Sequence, residues 1–193
     1  MEEYKIKTKV VGVDISNELT TYAIVDIRGN IIAEESFLTC GYSDVNNFVT
    51  ALSDKIVNLV EANGGYETIR SIGVSSPSAS SVSGCIENAA NLPWKGIVPL
   101  SAMLRDRIGL AVGLSNDAHV SALGEFTFGC AHGMKNFIIL SLGVGIGSCF
   151  FSAGDDHTGH NGYAGEFGHT ICSANVCWWS SVRCMLRASR FGV

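Results

Sequence analysis

Residues 10–26 read VVGVDISNELTTYAIVD, two stretches rich in Val, Ile and Thr on either side of a short polar segment. Residues of these types favour extended backbone, so the sequence predicts strands at Val10–Asp14 and Thr20–Val25. A turn is predicted at Asp26–Asn30 and a third strand at Ile31–Ala33. A three-strand meander at the start, followed by helical patterns, is typical of an α/β domain with a mixed sheet.

Helical and extended patterns alternate after this meander. The clearest helix is predicted at Asp44–Asn63, where apolar residues recur at helical spacing and Gly64 and Gly65 follow as a stop. Further strands are predicted at Ile69–Val74, Leu110–Leu114, Phe137–Leu142 and Ser148–Ser152, and further helices at Pro99–Ile108 and Asp117–Phe128. The second half begins with a glycine-containing hairpin as the first half does, which predicts two α/β domains, residues 1–115 and 116–193, with a ligand between them.

Composition excludes several classes of protein. The chain has 193 residues, 47% hydrophobic and 16% charged, as expected for a globular protein. Its net charge is −5 and it has no polybasic run, so neither nucleic acid nor a membrane surface is an expected partner. No secretory signal or membrane-spanning stretch is evident, which predicts a cytoplasmic protein. Of its seven cysteines, four are expected to be packing thiols of a reducing compartment: Cys40, Cys85, Cys130 and Cys149.

Two polar segments have residue types suited to a sugar or to proton transfer. Asp117 lies at a predicted strand–helix junction, where it either caps the helix or accepts a proton from an attacking hydroxyl. The segment Ala90–Trp94, with Asn91 inside it, either hydrogen-bonds to and stacks on a sugar or forms a plain turn.

Two glycine-rich segments follow in the second half. The run Gly143-Val-Gly145-Ile-Gly147 either brings backbone N–H groups to an anion or simply permits a tight hairpin. It is not a dinucleotide-binding fingerprint, because a strand and not a helix follows it. The segment Gly162–His169 places the carboxylate of Glu166 and an imidazole among glycines, where they either reach a ligand or are merely exposed.

In chain order these segments resemble the ROK family of sugar kinases and sugar-responsive repressors, with bacterial glucokinases as the most similar members. The resemblance covers roughly Val10 to Asn175, and its most specific parts are Asn116-Asp-Ala and Gly162–His169. It implies an actin-like ATPase (ribonuclease H-like) fold of two α/β domains that bind a hexose and MgATP in their cleft. No winged or helix–turn–helix segment precedes Val10, which favours the kinase branch.

The resemblance also implies a role for each motif residue. Asp117 resembles the catalytic base that takes the proton from the sugar hydroxyl. The implied hexose-binding residues are Asn91, Asn116, Glu166 and His169, and the implied phosphate-binding residues are Asp14, Gly143, Gly145 and Gly147. The expected substrates are ATP and a hexose, with glucose as the expected sugar, and a homodimer is left open.

Two departures from the family pattern predict weakened ATP binding. The family's first phosphate loop has two glycines and a threonine where this chain has Ser16-Asn17-Glu18, so side chains and a negative charge occupy the place of bare backbone. Val144 replaces the usual threonine of the second loop. The predicted function is therefore a glucokinase-type hexose kinase with weakened activity, and the alternative is a non-catalytic or truncated sugar-binding relative.

The end of the chain departs further, because the paired cysteines of the family's zinc knuckle are absent. His169, Cys177 and Cys184 remain as candidate metal ligands, but their loose spacing predicts no tightly bound zinc.

Residues 177–193 contain no Asp or Glu, which fits either out-of-frame translation or local divergence. Family members continue well beyond this point, so we expect an incomplete second domain whose apolar strands, Phe137–Leu142 and Ser148–Phe151, lack cover.

Overall fold

The computed structural model describes residues 6–142, 145–160 and 164–169. Two compact units make up the chain: unit 1, Met1–Asp117, and unit 2, Ala118–Val193. The first unit contains β1 (Lys9–Ile15), β2 (Leu19–Asp26), β3 (Ile31–Leu38), α1 (Val45–Ala62), β4 (Ile69–Ser76), β5 (Ala79–Ser80), β6 (Cys85–Glu87), β7 (Ile97–Val98), α2 (Leu100–Ile108) and β8 (Val112–Asn116). The second unit contains α3 (Asp117–Phe128), β9 (Phe137–Leu142), β10 (Ile146–Ser152) and β11 (Asp155–Asp156). Helix α3 begins at the boundary between the units. Short 3₁₀ turns occupy Thr39–Gly41, Tyr66–Thr68 and Phe167–His169.

The main sheet of unit 1 is mixed, with strand order β3-β2-β1-β4-β8. The first three strands form an antiparallel meander, whereas β1 pairs with β4 and β4 pairs with β8 in parallel. This confirms the α/β fold class and the mixed sheet predicted above. The predicted strands and helices have bounds within two residues of the observed ones, except at the end of β3. This strand continues to Leu38, because Glu34, Glu35 and Ser36 lie in an edge strand whose exposed positions tolerate polar residues.

Helix α1 begins where the sequence predicts. The Asp44 carboxylate accepts hydrogen bonds from the backbone N–H groups of Asn46 (2.6 Å) and Asn47 (3.1 Å), which satisfies donors that a helix start otherwise leaves unpaired. Its buried face consists of Phe48, Val49, Leu52, Ser53, Ile56, Leu59 and Val60. Because α1 contacts both α2 and β2, and α2 contacts β8, the two helices form one layer on the sheet.

An aromatic cluster fills the core beside α1. Phe48 is fully buried, and its ring centroid lies 4.4 Å from that of Trp94 and 5.6 Å from that of Phe37. The Trp94 indole Nε1 donates a hydrogen bond to the Tyr42 carbonyl at 3.0 Å. Each buried aromatic ring removes a large apolar area from water, so this cluster contributes strongly to stability.

In unit 2, β9, β10 and β11 form an antiparallel sheet with β10 in the centre. One face packs on α3 through a small core made of Ala122, Cys149 and Phe151, with Phe126, Phe137 and Ile139 around it. The opposite face of β9 is apolar and open in the described part of the chain, where Ile138, Leu140 and Leu142 are 54%, 57% and 71% exposed. The expectation of uncovered apolar strands thus holds, among the described residues, for this face of β9. It is wrong for Ser148–Phe151, because Ser148, Cys149 and Phe151 are buried.

The four described cysteines are free thiols, but only one of them has the packing role that we predicted. Cys149 is buried, and burial raises the pKa of its thiol to about 11. Cys40 and Cys130 are exposed, because they lie in surface turns and not in strands or helices. The Glu125 carboxylate accepts the Cys130 backbone N–H at 2.9 Å, which lowers the pKa of that carboxyl, and the same carboxylate raises the pKa of the Cys130 thiol.

Among the described residues, no helix combines the length and the hydropathy that crossing a membrane requires.

We predict that Phe48→Ala destabilises unit 1 by about 3–5 kcal/mol, because it leaves a cavity against Trp94 and Phe37. Urea unfolding followed by circular dichroism measures the loss. Val82→Ala is the control, since Val82 is 97% exposed and its variant should unfold like the unchanged protein. A loss below about 1 kcal/mol for Phe48→Ala would contradict the position of the core.

Leu140→Lys should reduce self-association, because it puts a charge on the open apolar face of β9. Light scattering across a concentration series measures this. Ile139→Lys is the matched control: Ile139 is the next residue along β9 but packs on the core side, so this variant should lose stability instead. Equal scattering by Leu140→Lys and the unchanged protein would show that this face does not drive association.

Candidate functional site

Polar residues gather at one edge of the main sheet of unit 1, where its parallel strands end. Asp14 lies opposite Ser75, and Ser75 lies opposite Ser115, so three strands present polar side chains in one row. Asn116 is the last residue of β8, and Asp117 is the first residue of α3 and is exposed. Ligands of open α/β sheets bind outside the carboxyl ends of the strands, which is where three of the predicted site residues meet: Asp14, Asn116 and Asp117.

The turn between β1 and β2 is closed by its own hydrogen bonds. The Ser16 backbone N–H donates to the Leu19 carbonyl at 3.0 Å, the Ser16 hydroxyl donates to the same carbonyl at 2.8 Å, and the Leu19 N–H donates to the Ser16 hydroxyl at 3.2 Å. Asn17 and Glu18 form the exposed tip. A phosphate loop binds through backbone N–H groups that point at the anion. Here the Ser16 and Leu19 groups are already used, and the Glu18 carboxylate adds a like charge, so this turn fits a nucleotide phosphate poorly.

The loop that carries Asn91 is held in place by Lys95. The Lys95 ammonium donates to three backbone carbonyls, those of Ala89 (3.1 Å), Ala90 (3.1 Å) and Leu92 (3.2 Å). An ammonium group has three N–H donors, so all of them serve this loop. Asn91 itself is exposed, between the residues whose carbonyls are held.

Of the two alternatives for the Ala90–Trp94 segment, stacking of its aromatic ring on a sugar does not fit the structure. Trp94 is only 6% exposed, and its ring packs on Phe48. The aromatic residue of this segment therefore belongs to the core, and only the polar part of the loop faces solvent. The buried Trp94 side chain fixes the end of this loop.

We predict that Lys95→Met loosens this loop. Three charge-assisted hydrogen bonds are lost, so the backbone amides of residues 89–92 should exchange with solvent deuterium at least about tenfold faster. Lys7→Met is the control, because Lys7 is exposed and lies ahead of β1. Unchanged exchange in Lys95→Met would mean that the core residues of the loop hold it without the ammonium.

Unit 2 places Glu166 and His169 on one short segment. Glu166 is half-buried, whereas the His169 side chain is 84% exposed, and their nearest charged atoms, His169 Nε2 and Glu166 Oε2, are 4.0 Å apart. The preceding Gly165 has φ +95°, a conformation that L side chains rarely adopt, and a Cβ there would lie 2.6 Å from the Phe150 ring. This glycine therefore allows the segment to pass close over β10.

One residue of the glycine run, Gly147, has a packing role in the described part of the chain. A Cβ on Gly147 would lie 3.1 Å from the Ala118 side chain, so glycine at this position lets β10 approach the first turn of α3. Gly145 precedes β10 in a bend. Gly143 lies outside the described residues, and the phosphate role of the run stays a prediction.

The described residues contain no group of three or more His, Cys, Asp or Glu side chains that are placed to hold a metal ion. Of the three candidate zinc ligands, His169 faces Glu166, whereas Cys177 and Cys184 lie outside the described residues. The prediction that zinc is not tightly held stays a prediction.

One polar pair was missed by the sequence analysis. His119, on the first turn of α3, is 7% exposed, and its Nδ1 lies 3.0 Å from the Asp156 carboxylate in β11. The carboxylate orients the imidazole and ties the start of α3 to the far side of the small sheet. A separation of 37 residues leaves no local signal of this contact, although an imidazole two positions after Asp117 was visible in the sequence.

The fold and the residues at this site fit one family of proteins. The ROK family matches residues 10–185, and the chain belongs to that family. The strand order of unit 1 and the solved relatives of the chain give it the actin-like ATPase fold.

Three relatives illustrate what the chain is similar to. The glucokinase of Streptomyces coelicolor is 30% identical over 193 aligned positions, which cover 93% of this chain and 58% of that protein. The xylose repressor of Caldicellulosiruptor bescii is 29% identical, with 91% and 45% covered. A ROK family glucokinase from Streptomyces griseus, solved in complex with glucose and AMPPNP, superposes with a TM-score of 0.74 at 26% identity, with 86% and 51% covered. The chain thus spans about half the length of its relatives, which include both kinases and a regulator.

Proposed function

We propose that this chain carries the hexose-binding and base residues of a cytoplasmic, ATP-dependent sugar kinase of glucokinase type. The observation that carries the proposal is the β8–α3 junction, where Asn116 ends a parallel strand and Asp117 begins a helix at the edge that also holds Asp14. The similarity to glucokinases of Streptomyces supports it.

In the proposed reaction Asp117 acts as the general base. Its carboxylate accepts the proton of a hexose hydroxyl while the oxygen of that hydroxyl bonds to the γ-phosphorus of ATP. The bond from the γ-phosphorus to the bridging oxygen of ADP breaks, so the products are a sugar phosphate, ADP and a protonated Asp117. Phosphoryl transfer depends chiefly on positioning and charge stabilisation, so an exposed carboxylate at a rigid strand–helix junction suits this role.

The remaining site residues are proposed to hold the sugar. Asn91 and Asn116 offer amide groups that both donate and accept, whereas Glu166 accepts only, a mixture that suits sugar hydroxyls. His169, highly exposed, is proposed to contribute from the same segment as Glu166. Asp14 and the glycine run are proposed to lie on the phosphate side. A Mg²⁺ ion bound with ATP would neutralise phosphate charge, and Asp14 is the exposed carboxylate at the sheet edge suited to it.

A second candidate is a sugar-binding protein without kinase activity. The closed β1–β2 turn favours it, because Ser16 and Leu19 already use the N–H groups that a phosphate needs and Glu18 adds a negative charge. One relative of the chain is a xylose repressor, so its relatives include a protein that is named as a regulator and not as a kinase. The first candidate turns over ATP and the second does not, whereas both bind a hexose.

We expect slow glucose phosphorylation that depends on Asp117. Asp117→Asn should lower kcat by about 10²–10⁴-fold while glucose affinity, measured by calorimetry, changes little, because the amide keeps the shape of the carboxylate but cannot take the proton. A coupled ADP-release assay measures turnover. Turnover that survives Asp117→Asn would overturn the base, and glucose binding without any turnover would establish the second candidate.

Restoring the family pattern in the β1–β2 turn should strengthen ATP binding. The triple variant S16G, N17G and E18T removes the hydroxyl that accepts the Leu19 N–H and the negative charge at the tip of the turn, which frees this N–H group for phosphate. We expect ATP to bind about tenfold more tightly, as measured by calorimetry, with glucose affinity unchanged. Weaker or equal ATP binding would show that this turn does not meet the nucleotide.

A further inference from the structure

The Ser148 hydroxyl holds the backbone on both sides of Glu166. Ser148 is only 2% exposed and lies in β10, while the segment it contacts comes back over that strand some 17–19 residues later. Its hydroxyl donates to the Gly165 carbonyl and accepts the Phe167 backbone N–H at 2.9 Å. The residue between those two groups is Glu166.

The segment that carries Glu166 lies close against β10. A Cβ on Gly168 would overlap the carbonyl oxygen of Ile146, and the rings of Phe150 and Phe167 lie 4.9 Å apart between centroids. The backbone therefore runs over the strand at a distance that a side chain at Gly168 would prevent. Under this close approach the Ser148 hydroxyl contacts both groups of a tight turn, in which the Phe167 N–H also donates to the Gly165 carbonyl at 2.8 Å.

Within the described part of the chain, the Glu166 carboxylate has no comparable anchor of its own. The His169 imidazole lies 4.0 Å from it, which is longer than a hydrogen bond, and His169 is mostly in solvent. The position of this carboxylate is therefore determined mainly by the backbone that carries it. A backbone fixed before the ligand arrives spares the entropy of ordering it on binding.

We propose that Ser148 is a positioning residue that fixes Glu166 for sugar binding. This inference rests on the proposed function, in which Glu166 contacts the hexose. Ser148 touches neither sugar nor phosphate in this scheme and acts only through the Gly165 and Phe167 backbone. Loss of the hydroxyl should weaken the binding of glucose and leave the binding of ATP unchanged.

Ser148→Ala tests this with two measurements on the whole chain. The first is deuterium exchange at the Phe167 amide, which loses the Ser148 hydroxyl and keeps only its 2.8 Å hydrogen bond to the Gly165 carbonyl. It should therefore exchange about tenfold faster, while the amides of β9 and β10 keep their protection. The second is calorimetry, in which the affinity for glucose should fall by about tenfold. Ser152→Ala is the control on the same strand, because Ser152 is exposed, and both measurements should be unchanged.

A double-variant cycle with Glu166→Gln tests whether Ser148 acts through Glu166. If it does, Ser148→Ala costs less glucose affinity in the Glu166→Gln background than in the unchanged protein. Additive losses would overturn the proposal, as would unchanged exchange at Phe167 or loss of protection throughout β9 and β10. Faster exchange at Phe167 in a protein that binds no glucose would support the backbone contact but refute the sugar role together with the proposed function.

Discussion

The parallel pairing of β1 with β4, and of β4 with β8, is the constraint on which the rest of unit 1 depends. Each connection crosses the sheet through a helix, so all three strands end at the same edge, and the polar residues that follow them meet there. The register also sorts the side chains of β1, because Val13 and Ile15 enter the core while Asp14 stays exposed. A slip of one residue would bury that carboxylate and expose the core residues, so packing and site are fixed together.

Two of the predicted site residues lie on backbone that a single polar side chain holds, one through local contacts and one through a contact across 17–19 residues. Lys95 holds the carbonyls around Asn91, and Ser148 holds the backbone around Glu166. In both places a single polar group uses its donors and acceptors on the main chain, and the residue proposed to meet the ligand remains exposed or half-buried. The side chains proposed to bind are thereby carried by backbone that is held without a ligand.

Periodicity predicted most of the fold, because long apolar patterns report burial directly. Helix α3 and strand β9 have the predicted bounds, and the mixed sheet follows from the meander. The sequence left the role of the Trp94 segment open, because neither the indole contact with Phe48 nor the hydrogen bond to Tyr42 leaves a local pattern. The pairs His119–Asp156 and Ser148–Phe167 were invisible for the same reason, since residues far apart in sequence become neighbours only when the strands pair. The predicted roles of motif residues such as Asp117 came from the resemblance to the ROK family, because periodicity indicates secondary structure and burial but not chemical function.

The loop that carries Asn91 is anchored at both ends by buried residues, Ala89 before it and Leu92 and Trp94 after it. An inserted or deleted residue would pull one of these anchors out of the core and move the carbonyls away from Lys95. Under the proposed function, a new sugar preference would therefore arise by exchanging the Asn91 side chain, whereas changes in loop length would cost the stability of unit 1. Among natural relatives and laboratory libraries, this segment should vary in chemistry while its length stays constant.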